Sequence, residues 1–252
     1  MAPRDGGKVR LTSPHPVRPG TIARTTTNRL WLVHDVEPGG GAGGIGVTLR
    51  FSDDDGATWS PANTTVIAPP TAMNIPVEHS CAGNGNDVWV AYETHPSGAL
   101  ATAVQVVHST NGGQTFGAPV NAMDTATSLL AWHSAVVLEA NGHLNVEYYG
   151  GASNGDPHGG LYYVHSTDQG ATWGTATLIR KPITVLEPSP WTDNWLGDYI
   201  GATTARGSLY TTFADNSTGV AHVDFAKVTL PGSGTDAGAD AMVDAATDAA
   251  GE

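Results

Sequence analysis

Cysteine is nearly missing from this chain: Cys81 is alone among 252 residues, which excludes an intrachain disulfide and leaves the redox compartment open. Charge is scarce as well. Asp, Glu, Lys and Arg make up 14% of the sequence, with 11 basic residues against 24 acidic ones and a formal net charge of −13. The shortage of basic residues argues against nucleic acid and anionic membranes as partners, because neither finds its phosphates neutralised. No run of about 18 apolar residues occurs, so no membrane span is expected. Met1-Ala2-Pro3-Arg4-Asp5 is not the start of a signal peptide. Either the protein is cytosolic, or this chain is a processed or partial piece of a longer exported one.

What the chain has in quantity is glycine, 32 residues, and proline, 16, a balance suited to a turn-rich all-β protein long enough to bury a substantial core. One octapeptide recurs. Ser52-Asp53-Asp54-Asp55-Gly56-Ala57-Thr58-Trp59 returns as Ser109-Thr110-Asn111-Gly112-Gly113-Gln114-Thr115-Phe116 and as Ser166-Thr167-Asp168-Gln169-Gly170-Ala171-Thr172-Trp173. The copies are evenly spaced, which signals a repeat architecture. The residue types are those of a tight turn between strands. Asp or Asn bonds the backbone ahead of it, Gly adopts a conformation other residues resist, Ser and Thr add short hydrogen bonds, and the closing aromatic anchors the next strand.

These three copies resemble the Asp boxes, or BNR repeats, of the sialidase-like β-propellers. The matching positions are Ser52, Asp54, Gly56 and Trp59; Ser109, Asn111, Gly113 and Phe116; Ser166, Asp168, Gly170 and Trp173. In that family the box caps the outer hairpin of each blade, on the face away from the active site. The resemblance therefore implies fold rather than catalysis, and it favours the exported alternative, extracellular or at the cell surface.

Around the boxes a unit recurs from about residue 20: a first short strand, a turn, an alternating second strand, a polar loop, a third strand running into the box, and a fourth strand after its aromatic. Alternating second strands are expected at 30–34, 88–92, 144–148 and 209–213, and third strands at 47–49, 104–106, 161–163 and 222–225. The expected fold is all-β, a propeller of four-stranded antiparallel blades with four repeat units visible, forming either a small closed ring or part of a larger propeller. The fourth unit has no box and lacks a fourth strand of its own. Residues 1–18 hold a strand candidate at Lys8-Val9-Arg10-Leu11-Thr12 that could close the ring there and hide a sheet edge. The propeller is expected over 19–230. From 231 to 252 the chain becomes Gly-Ser-Gly-Thr and then Ala with an acidic residue every fourth position, a composition expected to be a disordered tail or linker.

If the boxes mark one face, function belongs on the other, where loops on a rigid scaffold carry polar groups. The candidates for ligand binding are His79, Trp132, His133, Asp193, Trp195, Glu93 and His95. Trp191 to Gly201 combines two Trp, two Asp and a Tyr, flat faces with polar tips suited to sugar rings. The family resemblance implies, for a sialidase, three arginines on the substrate carboxylate, a Tyr nucleophile activated by Glu, and an Asp acid/base. Tyr199, Glu78 and Asp198 are the residues that could take the last three roles. No Arg-Ile-Pro motif is present, however, and the expected mouth is acidic and rich in histidine, a field that repels a carboxylate. The expectation is a secreted or surface-associated monomer that binds glycan, or a protein partner, through the face opposite the boxes. An active exo-α-sialidase or related glycoside hydrolase is the alternative. A metal held by His79, His133 and Asp198 has no local spacing motif behind it, and neither a metal nor a cofactor is expected.

Overall fold

The computed structural model describes residues 21–24, 29–36, 46–60, 79–94, 103–128, 130–151, 158–184, 200–217 and 222–232. Fourteen strands and no helix occur among them: β1 Thr21–Arg24, β2 Leu30–Val36, β3 Gly46–Ser52, β4 His79–Asn84, β5 Asp87–Thr94, β6 Ala103–Ser109 and β7 Val120–Asn121, then β8 Leu130–Leu138, β9 Leu144–Gly151, β10 His158–Ser166, β11 Thr177–Thr184, β12 Gly201–Ala205, β13 Ser208–Asp215 and β14 His222–Thr229. They form four antiparallel sheets ordered β1-β2-β3, β4-β5-β6-β7, β11-β10-β9-β8 and β12-β13-β14. Each second strand lies inside its sheet, paired on both edges.

The four antiparallel sheets fit the expected repeat, and the last, as expected, lacks a fourth strand of its own among the described residues. Among the described residues the first and last sheets have three. The segment after the first octapeptide, 61–78, and the proposed closing strand at Lys8–Thr12 both lie outside the described residues.

The three octapeptides form one turn built three times. In each, the Ser hydroxyl donates to the Asp or Asn side chain, at 2.7 Å for Ser52–Asp54, 2.9 Å for Ser109–Asn111 and 2.8 Å for Ser166–Asp168. The same hydroxyl accepts from the amide of Gly56, Gly113 or Gly170. The Asp or Asn Oδ1 then accepts from the amide of Thr58, Thr115 or Thr172 at 2.8–3.0 Å. Two consecutive residues take left-handed backbone: Asp55 and Gly56, Gly112 and Gly113, Gln169 and Gly170. Backbone bonds from Ser60 to Phe51, Gly117 to His108 and Gly174 to His165 close the loop across its base.

Two compact units divide the chain. The first comprises Met1–Tyr92 with Val107–Pro119, and the second Glu93–Val106 with Val120–Glu252. The core of the first gathers Trp31, Val33, Val47, Leu49, Cys81, Val88, Val90, Tyr92 and Val107. Gly83 is required there, because a Cβ on it would stand 2.7 Å from the Trp31 ring. Cys81 is buried, and burial pushes its thiol up to about 12, so it behaves as a small apolar residue. The core of the second unit joins Trp132, Tyr149, Leu161, Tyr163 and Ile179 to Leu209, Phe213, Ala226, Val228 and Leu230, closing the β8–β11 sheet against the β12–β14 sheet.

Candidate functional site

Strand direction defines two ends in the β8–β11 sheet. The octapeptide turn follows β10, at the end where β8 runs into β9 through Asn141 and Gly142; the opposite end holds the start of β8 and the ends of β9 and β11. Register is interrupted at that opposite end, between Trp132 and Ala135, so that His133 and Ser134 form a bulge on β8. His133 sits at φ 53°, a conformation rare for a histidine. Its amide donates to Oε1 of Glu93, and both residues are buried. Bulges of this kind re-aim side chains and recur beside functional sites.

On β9, the alternation that places Leu144, Val146 and Tyr148 on one face places Asn145, Glu147 and Tyr149 on the other. All three of the latter are buried, and they form a polar column against the neighbouring elements. Tyr149 latches to β13 twice, its hydroxyl donating to the Ala214 carbonyl at 3.0 Å and accepting from the Ala214 amide at 2.9 Å. Glu147, 1% exposed, accepts from the Thr211 hydroxyl at 2.8 Å. Burial drives its carboxyl well above the ordinary 4.5, with the Thr211 bond only partly opposing. Asn145 donates to Glu139 at 2.9 Å.

An ion pair stands beside this column. Arg180 on β11 donates to Asp215 Oδ2 at 2.8 Å, and the Ser217 amide donates to Oδ1 at 2.7 Å. Burial would raise the Asp215 carboxyl, but the Ser217 and Arg180 bonds outweigh it and hold the group below its usual range. The Arg180 guanidinium is thus half-open yet already balanced in charge.

No family model and no curated protein matches the sequence. Comparison of structures does find similar folds. Hadza microbial sialidase Hz136 superposes with a TM-score of 0.54 at 16% identity, over 84% of this chain and 44% of that one. The xylan β-1,4-xylosidase of Bacillus halodurans C-125 gives 0.52 at 13%, over 86% and 41%. Trypanosoma rangeli sialidase in complex with sialic acid gives 0.51 at 15%, over 89% and 37%. The fold is similar to that of these sialidase and xylosidase structures. The chain spans less than half the length of each of these three structures, and at such identities the likeness concerns the fold alone.

The candidate residues fare differently. Glu93 and His133 are brought together. His79 opens β4 opposite Tyr92. Trp132 is buried in the second core with Tyr149 and Leu161, so it packs the scaffold. Glu78, His95, Asp193, Trp195, Asp198 and Tyr199 lie outside the described residues. Sequence reasoning passed over Glu147 and the pairing of Arg180 with Asp215. The signal for Glu147 was available, as the lone charged residue in a strand otherwise apolar or aromatic but for Asn145.

Proposed function

We propose that this chain is a secreted or surface-associated, sialidase-like propeller, spanning residues 19–230, that binds glycan through the face opposite its three octapeptide turns, which we read as Asp boxes. The observation that carries this reading is the bulge of His133 and Ser134 held by Glu93 at the end of the β8–β11 sheet away from the turn. A strained, hydrogen-bonded backbone there offers fixed polar groups on a rigid sheet. We further propose Asp193, Trp195, His79 and His95 as sugar contacts, since the residue types of the Trp191–Gly201 stretch offer flat faces with polar tips of the kind a sugar ring favours. Carbohydrate-active enzymes among the structural neighbours support a sugar ligand.

Among the described residues, three arginines argue for binding over sialidase turnover, while Arg206 is exposed in the turn between β12 and β13. Arg29 makes two bonds to Asp53, Arg50 bonds His34, and Arg180 pairs with Asp215, so each is committed within the protein. A sialidase needs free guanidinium groups for the substrate carboxylate. A glycan array probed with the intact chain and with Trp195→Ala tests the proposal: saturable binding weakened by the substitution is expected, and absent or unaltered binding sinks it. The enzymatic reading, with Tyr199 as nucleophile, Glu78 as its activator and Asp198 as acid/base, requires release of a reporter from a sialoside or other glycoside that Tyr199→Phe abolishes.

A further inference from the structure

We infer that Glu139, His143 and His165 form a binding site for a divalent transition-metal ion of the zinc type, at the end of the β8–β11 sheet that carries the octapeptide turn. Glu139 follows β8, His143 precedes β9 across the hairpin, and His165 is the penultimate residue of β10. One carboxylate oxygen and one imidazole nitrogen from each histidine lie within 4.8 Å of one another. His165 Nε2 is already 3.1 Å from Glu139 Oε1, and the two imidazole rings meet edge to face at 5.1 Å. Donor atoms around a tetrahedral zinc stand roughly 3.3–3.6 Å apart, given metal–ligand distances of about 2.0–2.2 Å. The set therefore reaches bonding geometry by small rotations of the half-buried His143 and His165 side chains.

The chemistry of the surroundings fits the same ion. Glu139 is buried, and among the described residues its side-chain partners are His165, Asn145 and Asn141, none of which carries a fixed positive charge. A buried carboxylate of that kind is costly unless compensated, and a dication compensates it directly. Asn145, fully buried, donates to Glu139 Oε1 at 2.9 Å, the outer hydrogen bond that fixes a metal-binding carboxylate in place. Its own Oδ1 is buried and has no hydrogen-bond partner among the described residues. Two imidazoles and one carboxylate leave a fourth position open to water. The ion would tie the β8–β9 hairpin to the end of β10, one residue before Ser166 begins the third turn. The other convergence of acids and imidazole, Asp215 with His222 and Asp224, differs because Arg180 already neutralises Asp215.

The test uses the untagged full chain, stripped with chelator and titrated with Zn²⁺ alone by calorimetry, with Co²⁺ absorption as a second readout. One ion per chain, visible ligand-field bands and a thermal midpoint that rises with zinc are expected. His143→Ala and His165→Gln should each weaken binding by more than about tenfold, the scale on which even outer partners of a metal count. Asp224→Ala should bind as the parent does. Circular dichroism checks the fold of each variant, and His143→Ala, a change in a half-exposed turn residue, decides the matter if His165→Gln does not fold. No saturable binding by the parent chain, or binding that survives His143→Ala unaltered, overturns the site.

Discussion

Asp54 and Asp168 sit on the surface, yet both carboxyls are held at about 2. The causes are the hydroxyl and then the amide of Thr58 or Thr172, followed by the Ser52 or Ser166 hydroxyl. The folded pKa lies below the ordinary 3.8, so the ionised carboxylate supports each turn above about pH 4, and that support is lost as pH falls toward 2. The second turn does the same work with Asn111, whose amide group donates to Thr115 at 2.8 Å while its oxygen accepts from the Thr115 amide. Asp54→Asn should therefore fold normally and flatten the acid side of the stability profile; a variant as acid-sensitive as the parent in urea melts from pH 2 to 5 would contradict this. Glycine positions separate strain from crowding. At Gly142, φ is 89° and an added Cβ meets nothing within 4 Å, so Gly142→Ala should cost only the left-handed strain, ~1–2 kcal/mol. At Gly113 the Cβ would also stand 3.0 Å from Leu49 and 3.4 Å from Trp31, adding overpacking of ~1–3 kcal/mol. Equal losses for the two in denaturant melts would show that the crowding at Gly113 is relieved.

At the scale of elements, β9 is the member through which the second unit is held together. Apolar burial joins its two sheets, but Tyr149 and Glu147 specify how they meet. Tyr149→Phe removes both bonds to Ala214 and should destabilise by ~1–3 kcal/mol, measurable by chemical denaturation. Glu147 predicts a pH effect of opposite sign to that of the turns. Because burial raises its carboxyl, the folded chain keeps a proton that the unfolded chain releases, and this residue's contribution to stability declines as pH rises from about 4.5 toward the folded-state pKa. Glu147→Gln retains an oxygen for Thr211 and abolishes that decline, so its stability relative to the parent should improve between pH 5 and 8. Parallel profiles for the two proteins would mean that Glu147 does not titrate in this way.

For the molecule as a whole, the formal charge of −13 sets a preference among ligands. A neutral glycan meets no long-range opposition, whereas a sialylated or sulfated one is repelled, and the repulsion is screened by salt over about 8–10 Å at ordinary ionic strength. If the proposed glycan binding holds, affinity for neutral glycans should be indifferent to salt, while any affinity for anionic ones should rise with it. Isothermal titration at low and at moderate salt distinguishes these outcomes. Tight anionic binding that weakens with salt would instead reveal a basic site and revive the sialidase reading.

The sequence by itself determined the three turns, the alternating strands around them and the all-β class. The reason is that their hydrogen bonds close within a few residues, as from Ser52 to Gly56 or Asp54 to Thr58, and leave a local pattern of residue types. Which polar residues carry weight was decided only in the tertiary structure. Glu147 meets Thr211 across 64 positions, Tyr149 meets Ala214 across 65 and Arg180 meets Asp215 across 35. Likewise Trp132, whose aromatic face suits a sugar as well as a core, lies among Tyr149, Leu161 and Phe213. A strand's alternation states which side chains share a face, but what stands opposite that face depends on the packing of sheets, and no spacing along the chain encodes it.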